Sequence, residues 1–288
     1  MNLFENINSK YILKQIFDNL KEIKLLQIIK HNKSLHKKLQ KNLYDYYLYT
    51  QIIIELIPIY ENDINYFINI QENNKYYYHI FFNDDILETK RNFFTKKDEI
   101  SKIKIIIDKE IKSFKDLFRN CDCIKIINFL KFNRKDITCM SYMFYFCRNL
   151  VELNLSNFNT NNVKSMDCMF EMCNSLKELN LSNFNTNNVT DMSFMFYGCT
   201  SLKELNLSNF NTSKLTNMFA MFMKCESLKE LNLSNFNTSK VDLYDDMFTE
   251  CNSLRKINTN NVDIQNVYKS YISPQRKTKY KGFECLIN

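Results

Sequence analysis

The sequence predicts an α/β fold: a solenoid of short parallel strands and short helical turns with a 26-residue period, preceded by a small N-terminal helical region. Three observations predict it. The segment SLKELNLSNFNT occurs from Ser175, Ser201 and Ser227, and the variant NLVELNLSNFNT starts at Asn149. Cys147, Cys173, Cys199, Cys225 and Cys251 keep the same spacing without an insertion, and one step back lands on Cys121, so six units are in register. Apolar side chains also recur in columns through all the units. A fixed period in the range of about twenty to fifty residues marks an array of stacked supersecondary units.

Within a unit, Leu150, Leu176, Leu202, Leu228 and Leu254 form one column, with Ile124 before them. Leu153, Leu179, Leu205 and Leu231 form the next. Leu155, Leu181, Leu207 and Leu233 follow two residues on, which is the inside-outside alternation of a short strand. Phe158, Phe184, Phe210 and Phe236 add an aromatic column, and the NT after each turns the chain. Met140, Met166, Met192 and Met218, then the Met-Phe pairs from Met143 to Phe248, then the Cys column, are three to four residues apart, the spacing of one or two helical turns. A lone unit cannot bury both of its apolar sides. Each buried Leu, Phe or Met contributes about 1.5–3 kcal/mol, and that gain is realised only when a neighbouring unit covers it.

Four segments follow: a helical stretch over 1–50, a β-rich cap or linker over 51–102, the repeats over 103–262, and a C-terminal cap and tail over 263–288. The 51–102 stretch contains strand-like runs such as TQIIIELIPIY and YYYHIFF. After Ile257 the pattern becomes polar, as expected of a unit that shields the last apolar face.

Composition narrows the function classes. Only Gly198 and Gly282 are glycine, which excludes a Gly-rich phosphate loop or dinucleotide turn. The net charge of +7 is spread along the chain with no basic stripe, so nucleic acid is not the expected partner. No apolar run is long enough to span a membrane and no secretory leader is visible, so an intracellular, cytoplasmic location is expected. One thiol per unit between Met-Phe and Leu fits packing better than metal binding, which calls for close pairs such as CxxC. No cysteine has a histidine beside it, and His31, His36 and His79 share no helical face. No catalytic residue, cofactor or metal site is expected, and the protein is read as a non-enzyme.

The side chains expected to face outward from the strands are Asn154, Ser156, Asn180, Ser182, Asn206, Ser208, Asn232 and Ser234, bordered by Glu152, Glu178, Glu204 and Glu230. This polar, monotonous face is either a site for a protein partner or a solvated sheet face.

The pattern MFxxCxSLKELNLSNFNTxxVTxM over residues 111–262 resembles the BspA-type leucine-rich repeat. The resemblance implies a right-handed leucine-rich-repeat solenoid and a role in adhesion or protein interaction. The stretch YILKQIFDNL followed by IKLLQIIKHNKSLHKKL resembles an F-box. That second resemblance implies a face made by Ile16, Phe17, Leu20, Leu25, Leu26 and Ile29 that docks a Skp-type adaptor, the repeats then selecting a substrate for ubiquitin ligation. An interaction scaffold is the leading reading; an F-box-like adaptor and a surface adhesin are the alternatives.

Overall fold

The computed structural model describes residues 43–272. Helix α1 (Leu43–Thr50) leads into β1 (Ile52–Pro58), whose Ile52, Ile54 and Leu56 are fully buried in alternation with outward neighbours. Strands β2 (Asn65–Tyr66), β3 (Tyr78–Phe82), β4 (Phe93–Phe94) and β5 (Ile103–Ile107) follow. Then come β6 (Ile124–Phe132), β7 (Glu152–Asn154), β8 (Glu230–Asn232), β9 (Lys256–Asn258) and α2 (Val262–Ile272).

The main sheet has five strands in the order β3-β5-β1-β6-β7. It is mixed. β1 lies antiparallel to β5 and β6, β3 antiparallel to β5, and β6 alone runs parallel to β7. Thus β6, the strand of the first repeat, is the seam between the preceding β-rich segment and the repeats. The remaining sheets have two strands each, β2-β4 and the parallel pair β8-β9.

These elements overturn the expected α/β right-handed leucine-rich-repeat solenoid. The described residues form mixed sheets with few helices, no sheet closes, and none runs through all the repeats. The LxL segments pair as strands only at the two ends, β6-β7 and β8-β9; Glu178–Asn180 and Glu204–Asn206 are not assigned as strand. Nor does any Met-to-Cys segment form a helix. Each is a chain of β-turns in which Met143, Tyr145 and Cys147 donate their N–H groups to the carbonyls of Met140, Tyr142 and Phe144.

The physical reason is two left-handed residues per unit. Tyr142, Cys168, Phe194, Ala220 and Asp246 form one column with φ between 50° and 58°, and Phe146, Met172, Gly198, Lys224 and Glu250 form another with φ between 57° and 68°. A left-handed residue at the third place of a turn breaks helical continuity. The freed N–H groups go to the next unit instead: Met140, Tyr142, Phe144 and Phe146 donate to the carbonyls of Ser165, Asp167, Met169 and Glu171 at 2.8–3.1 Å. Cross-unit bonds compensate for the local cost of the left-handed backbone, so the conformation is stable only inside a stack.

Side chains stack as the backbone does. The rings of Phe118, Phe144, Phe170, Phe196, Phe222 and Phe248 lie 5.6–6.1 Å apart with planes within 9° of parallel. Tyr268 of α2 closes the column edge-on at 5.9 Å from Phe248. Helix α2 therefore covers part of the last unit, and its own Ile264 is buried.

Candidate interaction face

All eight Asn and Ser side chains singled out from the sequence are exposed, from Asn154 and Ser156 to Asn232 and Ser234. Their alternation with buried Leu153, Leu155 and the equivalent leucines puts them on one side of the stack. The asparagines also hold the local backbone. Asn154, Asn180, Asn206 and Asn232 each accept, through Oδ1, the N–H of the serine two residues on, at 3.0–3.2 Å. This Asx-turn ends the extended segment and leaves the amide Nδ2 of each Asn as the outward donor.

An open cleft of about 530 Å³ lies over the last three units, lined by Lys203, Glu204, Asn206, Lys229, Glu230, Asn232, Lys256 and Asn258, with Leu205 and Leu231 at its floor. Glu230 and Lys256 are 3.6 Å apart across it. The face therefore carries amide donors, ammonium groups and carboxylates in a pattern that repeats with each unit. The lysines and Asn258 were not among the residues picked from the sequence. Asn258 could have been, because it stands 26 residues after Asn232.

The Asn and Thr of each NFNT segment have a different task. Asn183 donates from Nδ2 to the carbonyls of Leu155, Ser156 and Phe158 of the preceding unit, at 2.9, 3.2 and 2.9 Å. Asn157, Asn209 and Asn235 make equivalent bonds. Buried Thr160, Thr186 and Thr212 donate to the carbonyls of Asn185, Asn211 and Asn237 and accept their N–H groups in return. These ladders tie unit to unit and are not available to a partner.

The cysteine column is structural as well. Cys147, Cys173, Cys199, Cys225 and Cys251 donate their thiols to the carbonyls of Phe118, Phe144, Phe170, Phe196 and Phe222 at 2.8–3.1 Å. A small side chain with one weak donor satisfies a carbonyl in a fully apolar interior. Burial pushes the Cys199 and Cys251 thiols up to about 12, so neither is a nucleophile near neutral pH. Among the described residues no group of three or more His, Cys, Asp and Glu is placed to hold a metal ion. Likewise, none of the described helices is long and apolar enough to cross a membrane.

Among the described residues one acid is raised above its ordinary range, whereas Asp98 is lowered by its hydrogen bond from Arg91. Glu171, 5 % exposed, is raised from 4.5 to about 7 by burial, against the opposing hydrogen bond from Cys168 and the charge of Arg119. It lies on the turn side, away from the Asn and Ser face. The predicted adaptor-binding residues Ile16, Phe17, Leu20, Leu25, Leu26 and Ile29 lie outside the described residues, and no site is assigned to them.

These observations define a repeat protein in which 26-residue units are joined by backbone and side-chain ladders and present one periodic polar face. The family model described as Mycoplasma protein of unknown function, DUF285, matches residues 112–206 and again 175–279. The two matches together span more than half the chain, and the chain belongs to that family. No curated protein and no solved structure matches it.

Proposed function

We propose that the protein is a non-enzymatic scaffold that binds a protein partner on the Asn and Ser face of its repeats. The observation that carries this reading is the division of labour among the asparagines. Asn183 and its counterparts are consumed in tying the units together, whereas Asn180 and its counterparts turn their amide donors outward beside Lys and Glu at a constant spacing. A surface with this repeated pattern suits an extended partner that meets several units at once. In this reading the protein works inside the cell, its kinship extends to BspA-type repeats, and residues 9–39 serve as an F-box-like dock for a Skp-type adaptor.

The test is capture from cell extract with the full chain, with an Asn206→Arg/Asn232→Arg variant, and with a Phe146→Ser/Tyr197→Ser variant on the turn side. The proposal expects a partner that the first variant loses and the second keeps. The reverse result would move the site to the turn side and end this reading. Deleting residues 9–39 tests the adaptor part separately: a cullin adaptor captured by the full chain and lost on deletion supports it, and no adaptor with either chain removes it.

A further inference from the structure

The two ends of the stack are not equivalent. Each unit donates alternate N–H groups to the unit after it, so the first unit has outward carbonyls and the last has outward N–H groups. Two of the four outward carbonyls of the first unit, Leu117 and Arg119, are capped by Asn69. Asn69 donates its backbone N–H to the Leu117 carbonyl at 2.8 Å and its Nδ2 to the carbonyls of Asp116 and Arg119 at 2.9 and 2.7 Å.

The last set is open. Its carbonyls at Leu243, Asp245, Met247 and Thr249 accept from the preceding unit. Yet the N–H groups of Tyr244, Asp246, Phe248 and Glu250, equivalent to those that bridge every earlier pair of units, have no backbone acceptor among the described residues. Helix α2 shields Phe248 through Tyr268 but does not provide acceptors for this row. Beside the row stand Leu243, 50 % exposed, and the exposed carboxylates of Asp242 and Asp245, which form no ion pair among the described residues.

We propose that this open edge is a docking site for an extended basic segment, and that its occupant is the stretch of this same chain that follows α2. Three points select that occupant. A second copy docking head-to-tail is disfavoured, because Asn69 already holds two of the four carbonyls it would have to offer, those of Leu117 and Arg119. Charge is complementary: Arg276, Lys277, Lys279 and Lys281 follow α2, against Asp242, Asp245, Asp246 and Glu250 at the edge. Reach is sufficient. Tyr268 of α2 packs on Phe248 with ring centroids 5.9 Å apart, which sets the helix beside the row. From Glu250 back to Asp246 the chain spans at most about 14 Å even if extended. About five residues beyond α2 cover that distance, which brings Arg276 and Lys277 to the aspartates. The segment's carbonyls would take the waiting N–H groups as an added strand does.

Hydrogen exchange at the Tyr244 and Asp246 amides tests this in three forms: the full chain, a chain stopped after Ile272, and a full-length Arg276→Glu/Lys277→Glu/Lys279→Glu/Lys281→Glu variant. The expected result is exchange at least tenfold slower in the full chain than in the other two, with interior amides such as Tyr142 and Phe196 protected in all three. Should the shortened chain fail to fold, the charge-reversed variant decides alone. Equal exchange at Tyr244 and Asp246 in the full and charge-reversed chains, with the interior still protected, overturns the proposal. So would protection that appears only on adding a separate protein.

Discussion

Replacing Asn183 by Ala removes an exposed side chain from a polar segment, a change that ordinarily costs within about 0.5 kcal/mol. The structure gives a different magnitude. Asn183 donates to three carbonyls of the preceding unit, at 2.9, 3.2 and 2.9 Å. A typical intramolecular hydrogen bond contributes about 0.5–1.5 kcal/mol net. The Ser156 carbonyl belongs to an exposed residue and regains water on mutation, whereas those of Leu155 and Phe158 belong to buried residues. The two inner bonds then set the loss at roughly 1–3 kcal/mol. Asn183→Asp should cost more, because a carboxylate facing three carbonyls has no proton to give. Ser182→Ala is the control, since the Ser182 hydroxyl has no partner among the described residues and only its backbone N–H is bonded. The assay is urea unfolding followed by circular dichroism, reading the midpoint at unchanged slope. If Asn183→Ala matched Ser182→Ala, the asparagine ladder would carry no stability and the reasoning would fail.

Further predictions follow from the buried groups. Among the described cysteines, Cys139 is partly exposed while the column thiols are buried. Brief alkylation of native protein near pH 8, mapped by mass spectrometry, should label Cys139 ahead of the column thiols, with Cys199 and Cys251 reacting only after unfolding. Early labelling of Cys199 would contradict its place in the core. Glu171 should make stability pH-dependent. Its folded pKa is raised from 4.5 to about 7, so the folded form keeps its proton where the unfolded form ionises. Its contribution is intact below about pH 4.5 and is lost as pH rises towards 7, by at most about 3 kcal/mol. Glu171→Gln should flatten that part of the stability profile, and an unchanged profile would refute the assignment. Gly198→Ala should cost about 1 kcal/mol at its positive φ of 68°. Its new Cβ would fall 2.3 Å from the Met172 thioether, so Met172→Ala should restore part of the loss in a double-mutant cycle.

What was legible in the sequence was the set of side chains that meet, more than the backbone that carries them. The Leu, Phe, Met and Cys columns are buried because a strict period can satisfy all of them only by stacking. The helical turns were misread for a definite reason. Spacings of three and four residues from Met to Met-Phe to Cys describe a helix and a succession of β-turns equally well. The residues that decide between them, Tyr142, Cys168, Phe194 and Ala220, carry none of the glycine that would announce a left-handed backbone. The outward Asn and Ser were visible from alternation alone. The Asn before each Phe, Asn183 and its counterparts, has no role in the sequence reading, although its recurrence in every unit was a signal for a ladder. The pairing of β1 between β5 and β6 was not legible, since apolar alternation sets which face is buried but not which strands are neighbours.

The central claim is that each unit is completed by the next through backbone bonds offset by 25 to 27 residues, and removing one whole unit tests it most directly. Excising residues 173–198 joins Met172 to Cys199 and keeps every column in step. That protein should remain soluble and unfold in one cooperative transition, while excising only residues 173–185 should abolish cooperative unfolding. Comparable damage from both deletions would contradict the account.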